Sequence, residues 1–349
     1  MAAEYEKTPE WKTLLSKSLT SPSDLAAALG ISENGIRDVV STYPFRINPY
    51  ALDLIRTAGD PVRRQLVPDT AELDESGLAD GDPLCEEDQE PVAGIIHRYP
   101  DRVVFLVSDR CAAYCRHCMR KRRVGGKRRI KISAGLDYIA ADPGIKEVIL
   151  SGGDPLLLDD NRLFELLSAI RSTDHVELVR IHTRTPAMLP QRITRELARG
   201  LARFHPVYVN IQFNHPAELT AQAVSACCML ADAGIPLGSQ TVLLAGVNDD
   251  AETMGVLMRR LLFARVRPYY LHHPDPVKGT AHFRVPPEKG LEILESMRGR
   301  ISGTGIPHYM IDLPGGGGKV PLLPGYEVDN TGRRLVVYNF EKKRYTYPL

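Results

Sequence analysis

No apolar run in the 349 residues approaches the roughly 18 that a membrane span requires, and the opening MAAEYEKTPEWK lacks the apolar core of a secretory signal. The expectation is a cytoplasmic chain with no membrane as partner. An excess of one charge is missing too: 44 Lys and Arg stand against 43 Asp and Glu, a net +1 that creates no global field for nucleic acid. Internal repeats are absent, and six cysteines in such a chain do not read as a disulfide framework. What is present is an ordinary globular composition, 43% hydrophobic and 25% charged, at a length that suits an α/β barrel with small appendages.

Local signals divide the chain. Ser21 and Pro22 open PSDLAAALG and Asn48 and Pro49 open PYALDLIRTAG, each closed by glycine, the signature of capped helices. Asp69 to Glu90 holds ten acidic and no basic residues and reads as a solvated connector. From Val103 short β-rich runs alternate with helical stretches. Strands are expected from Val103, Glu147, Val176, Pro206, Pro236 and Arg267, and helices near 133–141, 159–171, 190–202, 219–233, 250–264 and 287–297. Repeated β/α units imply a parallel sheet with its site at the strands' C-terminal ends, here a six-unit partial barrel. A hairpin is expected around Asp329 to Arg334.

Three cysteines crowd the loop after the first of these strands: Cys111-x-x-x-Cys115-x-x-Cys118. Three thiolates can hold three corners of a four-iron cluster and leave one iron open, unlike the four-cysteine ligation of ferredoxins. A structural zinc would need a fourth ligand, and His117 is cramped between two of the cysteines. Cys85, Cys227 and Cys228 read as structural. Gly315 to Gly318 followed by Lys319 lacks the spacing of a phosphate-binding P-loop and reads as a flexible strip ending in one amine.

CAAYCRHC after a strand resembles the cluster motif of the radical S-adenosylmethionine enzymes. With CRHCMRKRRVG and PGGGGK, the chain resembles the lysine 2,3-aminomutase family from about Pro44 to Pro324. The resemblance implies a (β/α)6 radical-SAM barrel over 96–305, a helical N-terminal region with the acidic connector over 1–95, and a short C-terminal segment over 306–349. It implies a [4Fe-4S] cluster on Cys111, Cys115 and Cys118, S-adenosyl-L-methionine beside Gly152, Gly153, Asp154 and Gln240, and pyridoxal 5′-phosphate on Lys319 with Arg98 and Arg102 at its phosphate. Tyr99 would pack on the pyridine ring. Glycines admit close approach and guanidinium forks suit a phosphate dianion.

The same resemblance gives Arg120 to the substrate carboxylate and Asp275 and Asp312 to the side-chain ammonium of lysine, a receptor costly to assemble unless a cation arrives. The basic run from Lys121 through Arg122, Arg123, Lys127, Arg128, Arg129 and Lys131 reads mostly as a solvated loop. Two departures stand out: Gln212 occupies a position where the family has a cofactor-contacting histidine, and Asp250 one where better-known relatives place a zinc cysteine. Structural zinc is therefore not expected, and a homo-oligomer stays open. The expected reaction is 2,3-amino migration between L-lysine and L-β-lysine, fed by an electron donor such as a flavodoxin or ferredoxin. Alternatives are a β-lysine-forming enzyme for elongation factor P, an aminomutase for glutamate or arginine, and a non-catalytic iron–sulfur or zinc protein.

Overall fold

The computed structural model describes residues 9–74, 80–125, 130–330 and 334–348. Five short helices come first: α1 (Glu10–Ser16), α2 (Pro22–Leu29), α3 (Glu33–Thr42), α4 (Pro49–Ala58) and α5 (Asp60–Leu66). Gly30 ends α2 in the left-handed region at φ 65°, and the Asn48 side chain caps α4 by accepting from Ala51 N at 3.0 Å. Both ends follow the proline and glycine signals. Trp11, Leu25, Ile36, Leu54 and Leu66 from these helices share one core with the barrel.

The barrel sheet has nine strands in chain order. β1 (Ile95–Tyr99) runs antiparallel to β2 (Arg102–Ser108). Parallel to β2 follow β3 (Glu147–Gly152), β4 (Leu178–Thr183), β5 (Val207–Ile211), β6 (Leu237–Val242), β7 (Arg267–His272) and β8 (His308–Leu313), and β9 (Gly318–Pro321) closes the series antiparallel to β8. Register pairs Val103 with Val148, Val148 with Val179 and Val179 with Val207, so one set of alternate residues forms a buried aliphatic layer. Residues of the other parity, among them Arg180, His182, Asn210, Gln240 and His272, line the barrel interior. Lys319 N on β9 donates to the Tyr99 hydroxyl on β1 at 2.9 Å, which bridges the two ends of the sheet.

Outside the sheet lie α6 (Ile132–Ala141), α7 (Asp160–Arg171), the single turn α8 (Thr185–Met188), α9 (Arg195–Ala202), α10 (Ala221–Asp232), α11 (Ala251–Phe263) and α12 (Pro287–Met297). The helix expected over 190–202 is divided, because Thr194 is extended and its hydroxyl caps α9 at Leu197 N. The six strands read from the sequence are present, and β1, β8 and β9 join them. β8 and β9 fall within the expected C-terminal segment, yet they extend the barrel sheet. A separate antiparallel sheet of β10 (Glu327–Asn330), β11 (Arg334–Tyr338) and β12 (Arg344–Pro348) ends the chain. Its first two strands pair antiparallel where the hairpin was expected, and residues 331–333 between them lie outside the described residues. Among the described residues no helix is long and apolar enough to cross a membrane.

Candidate active site

The cysteine loop leaves β2 at the C-terminal rim of the sheet and is held by backbone pairing to the N-terminal helices. Tyr114 N donates to Arg46 O at 3.0 Å, Arg116 N to Gln65 O at 2.8 Å, and buried Asn48 Nδ2 to Ala112 O at 3.0 Å and Met188 O at 2.9 Å. All three thiols are free and line one cavity of about 230 Å³. Burial, with Asp154 and the neighbouring cysteines adding to it, raises Cys111 well above the ordinary thiol value, and burial pushes Cys118 up to about 11. Clustered buried thiols of this kind ionise only beside a strong cation, which is what bound iron supplies.

Cys115 already has a cation: Arg184 Nη1, just past β4, donates to its Sγ at 2.6 Å. A buried guanidinium aimed at sulfur suits a thiolate, so this donor set fits a metal cluster. His117 is buried, kept neutral by burial and by Arg184, and its Nε2 lies 3.1 Å from Asn214 Nδ2 and 3.4 Å from Gln212 Nε2. Gln212 thus sits beside His117 on the wall of the thiol cavity.

Gly152 ends β3 and Gly153 follows it, both against the start of the cysteine loop. Gly152 has φ +122°, a side chain there would strike Ser108 O, and one on Gly153 would strike Arg110 O. The close packing carries hydrogen bonds, Gly153 N to Ser108 O at 2.5 Å and Asp154 N to Arg110 O at 2.7 Å. The Asp154 carboxylate is engaged within the protein. It is buried and accepts from Thr183 Oγ1 at 2.7 and 2.8 Å, Arg184 N at 2.8 Å and Leu156 N at 3.0 Å, so its visible work is to tie β3 to β4.

Lys319 lies on β9, directly across from Asp312 on β8, and its Nζ donates to Asp312 Oδ2. The expected flexible strip is therefore a tight turn over Pro314–Gly316, followed by a strand whose ladder places the amine. Arg98 Nη1 lies 3.7 Å from Asp312 Oδ1 on the same carboxylate. Asp275, on the loop after β7, is raised to about 7 by burial and by Asp312, which brings both expected aspartates into one field. Arg120 engages Glu86 with Nε at 3.0 and 3.2 Å and Nη2 at 2.7 Å, and its Nη1 donates to Ser151 Oγ at 3.2 Å. Although burial pushes Glu86 up, Arg120 and the arginines behind it hold it below the usual carboxylate value.

A second cavity of about 770 Å³ fills the barrel interior and shares Arg120, Gln240, His272, Asp312 and Lys319 with the thiol cavity. Its walls add Arg98, Arg102 and Arg180. One amine among several guanidinium groups in a roomy pocket fits a carbonyl cofactor that carries a phosphate. Arg98 sits on β1, where it donates to Gln89 Oε1 at 2.7 Å and Leu84 O at 2.9 Å. Arg102 opens β2, donates to Asp101 at 2.9 Å and lies 4.1 Å from the Tyr99 ring centroid. That ring is therefore covered by Arg102, and the Tyr99 hydroxyl serves Lys319.

Two expectations are corrected. The acidic connector is not simply solvated: Glu72 pairs with Arg116 and Lys121, Asp82 with Arg122 at 2.7 Å, and Glu90 with Arg123 at 3.0 Å. By the same pairs the start of the basic run is a docked segment, while Lys127, Arg128 and Arg129 lie outside the described residues. Opposite charge in two runs was the legible signal for Glu86 and its neighbours. Arg184 was missed, and its place just after a strand's C-terminal end was the clue. Asp250 caps α11 by accepting from Thr253 N at 2.8 Å.

Comparison with known proteins follows the same lines. A Radical SAM superfamily model matches residues 105–257 and a Lysine-2,3-aminomutase model residues 294–349. L-lysine 2,3-aminomutase of Fusobacterium nucleatum subsp. nucleatum is 43% identical, over 98% of this chain and 83% of that protein. The L-lysine 2,3-aminomutase of Clostridium subterminale is 45% identical, over 90% and 77%. Glutamate 2,3-aminomutase of Clostridioides difficile is 40% identical, over 95% and 81%.

Proposed function

The chain belongs to the lysine 2,3-aminomutase family of radical S-adenosylmethionine proteins, and on that premise we propose that it interconverts L-lysine and L-β-lysine by 2,3-amino migration. It is an isomerase whose cofactors are a [4Fe-4S] cluster, S-adenosyl-L-methionine and pyridoxal 5′-phosphate. When bound, these groups supply a carbon radical that removes and returns one hydrogen atom and a carbonyl carrier for the migrating nitrogen.

In this reading Cys111, Cys115 and Cys118 hold three irons, and Gly152, Gly153 and Gln240 border the adenosylmethionine with Asp154 bracing the turn. Lys319 carries the pyridoxal group, with Arg98 and Arg102 toward its phosphate. Arg120 receives the substrate carboxylate while Glu86 fixes its plane. Asp275 and Asp312 receive the side-chain ammonium. The protein's contribution is to hold these groups in register and exclude water. The electron comes from a low-potential donor of the flavodoxin or ferredoxin kind.

The observation that carries the choice of lysine is Asp312 paired with the Lys319 ammonium inside a cavity that also contains Asp275. Two buried carboxylates welcome a second ammonium and repel the side chain of glutamate. Anaerobic turnover of a mixture of lysine, ornithine, arginine and glutamate tests this. β-Lysine should dominate, and preference for glutamate would overturn the assignment.

A further inference from the structure

Arg184 is the first residue after β4, and its guanidinium is buried in a cage of side chains from three parts of the chain. Nη1 donates to Cys115 Sγ at 2.6 Å, and Nη2 donates to Gln65 Oε1 at 2.6 Å and to Glu218 Oε1 at 3.1 Å. The cage is closed on itself. Gln65 Nε2 donates to Glu218 Oε1 at 2.8 Å, Asn214 N to Glu218 Oε2 at 3.1 Å, and Asn214 Nδ2 to Gln65 Oε1 at 2.9 Å. Gln65, Asn214 and Glu218 are fully buried, so Arg184 cannot turn away from the sulfur without stranding polar groups in a water-excluded site.

We infer that Arg184 is a positioning residue that acts through Cys115 to raise the reduction potential of the cluster, with Glu218 setting the opposite limit. The inference rests on the assignment of Cys111, Cys115 and Cys118 as cluster ligands. Reduction adds one electron, delivered by a one-electron donor of low potential, and no proton or leaving group takes part. The added negative charge spreads over iron and sulfur. A fixed cation hydrogen-bonded to one of those sulfurs stabilises the more negative state more than the less negative one. Glu218, an anion behind the guanidinium, attenuates the effect.

The test is a redox titration followed by electron paramagnetic resonance on the anaerobically reconstituted full chain, with and without S-adenosyl-L-methionine. Iron and sulfide content is measured first, so that a wild-type chain without a cluster refutes the ligand assignment and not the role of Arg184. Arg184→Gln should shift the midpoint to more negative potential at full iron content, and Glu218→Gln should shift it to more positive potential. A merely structural role moves cluster content in both variants and does not produce shifts of opposite sign. If Arg184→Gln does not load, Arg184→Lys, which keeps the charge but not the fork, should give a smaller negative shift. An unchanged midpoint in the loaded variant overturns the inference. So does weakened S-adenosyl-L-methionine binding with an unchanged midpoint in its absence, which would assign Arg184 to the cosubstrate.

Discussion

Asp275 and Asp312 put two carboxylates in one buried pocket, and burial, with the charge of Asp312 adding to it, raises Asp275 to about 7 from an ordinary 3.8. Between about pH 4 and 7 the folded chain keeps a proton there that the unfolded chain has lost, so this group weakens folding as pH rises through that window. Asp275→Asn should therefore gain stability over wild type at pH 8 and not at pH 4, read as urea midpoints. In the loaded enzyme, kcat/KM for lysine should rise with pH as Asp275 ionises to meet the ammonium, and Asp275→Asn should flatten that limb. Either Asn variant leaves a desolvated ammonium short of a partner, a loss of about 2–5 kcal/mol in kcat/KM for lysine. Iron content and S-adenosyl-L-methionine binding should be retained. Both aspartates were legible as isolated residues, Asp275 between two prolines and Asp312 two positions before one. Their mutual electrostatics was not, because they stand 37 positions apart in the chain.

At the scale of elements, the turn that ends β3 and the ladder between β8 and β9 do the placing. Gly153 packs so closely on the cysteine loop that a methyl group would collide with the Arg110 carbonyl, which is backbone and cannot move aside. Gly153→Ala should cost about 1–3 kcal/mol in urea unfolding and lower the iron bound after reconstitution. The proposal for that turn is lost if the variant matches wild type in both. The β2 to β7 strands and the capped helices were legible because their signals are local: alternation, proline at the first turn, glycine at the end. β8 escaped because its apolar run Tyr309–Ile311 spans three residues between exposed His308 and Asp312, which lines the barrel interior, and β9 because Gly318 ends a run of four glycines that reads as loop.

For the molecule as a whole, one buried carboxylate joins the N-terminal region to the site. Glu72 accepts from Arg116 Nη2 at 2.6 Å and from Lys121, and Lys121 Nζ also donates to Gly279 O at 2.8 Å on the loop that carries Asp275. N-terminal region, cysteine loop and substrate loop thus meet at one side chain. Glu72→Gln strands two buried cations and should cost about 3–5 kcal/mol in global urea unfolding. A loss below about 1 kcal/mol, the range of exposed pairs, would show that the three parts are joined elsewhere.

The sequence by itself determined what short-range chemistry can write: three thiols within eight residues, a glycine strip before one lysine, paired glycines at a strand end, and a β/α rhythm that makes a barrel. Tertiary structure alone decided which side chains share a buried space. Arg184 reaches Cys115 across 69 residues, Glu86 meets Arg120 across 34, and Lys319 meets Asp312 only because a turn returns β9 along β8. The reason is that a buried charge must find its partner wherever the chain brings one, and spacing along the chain does not encode that distance.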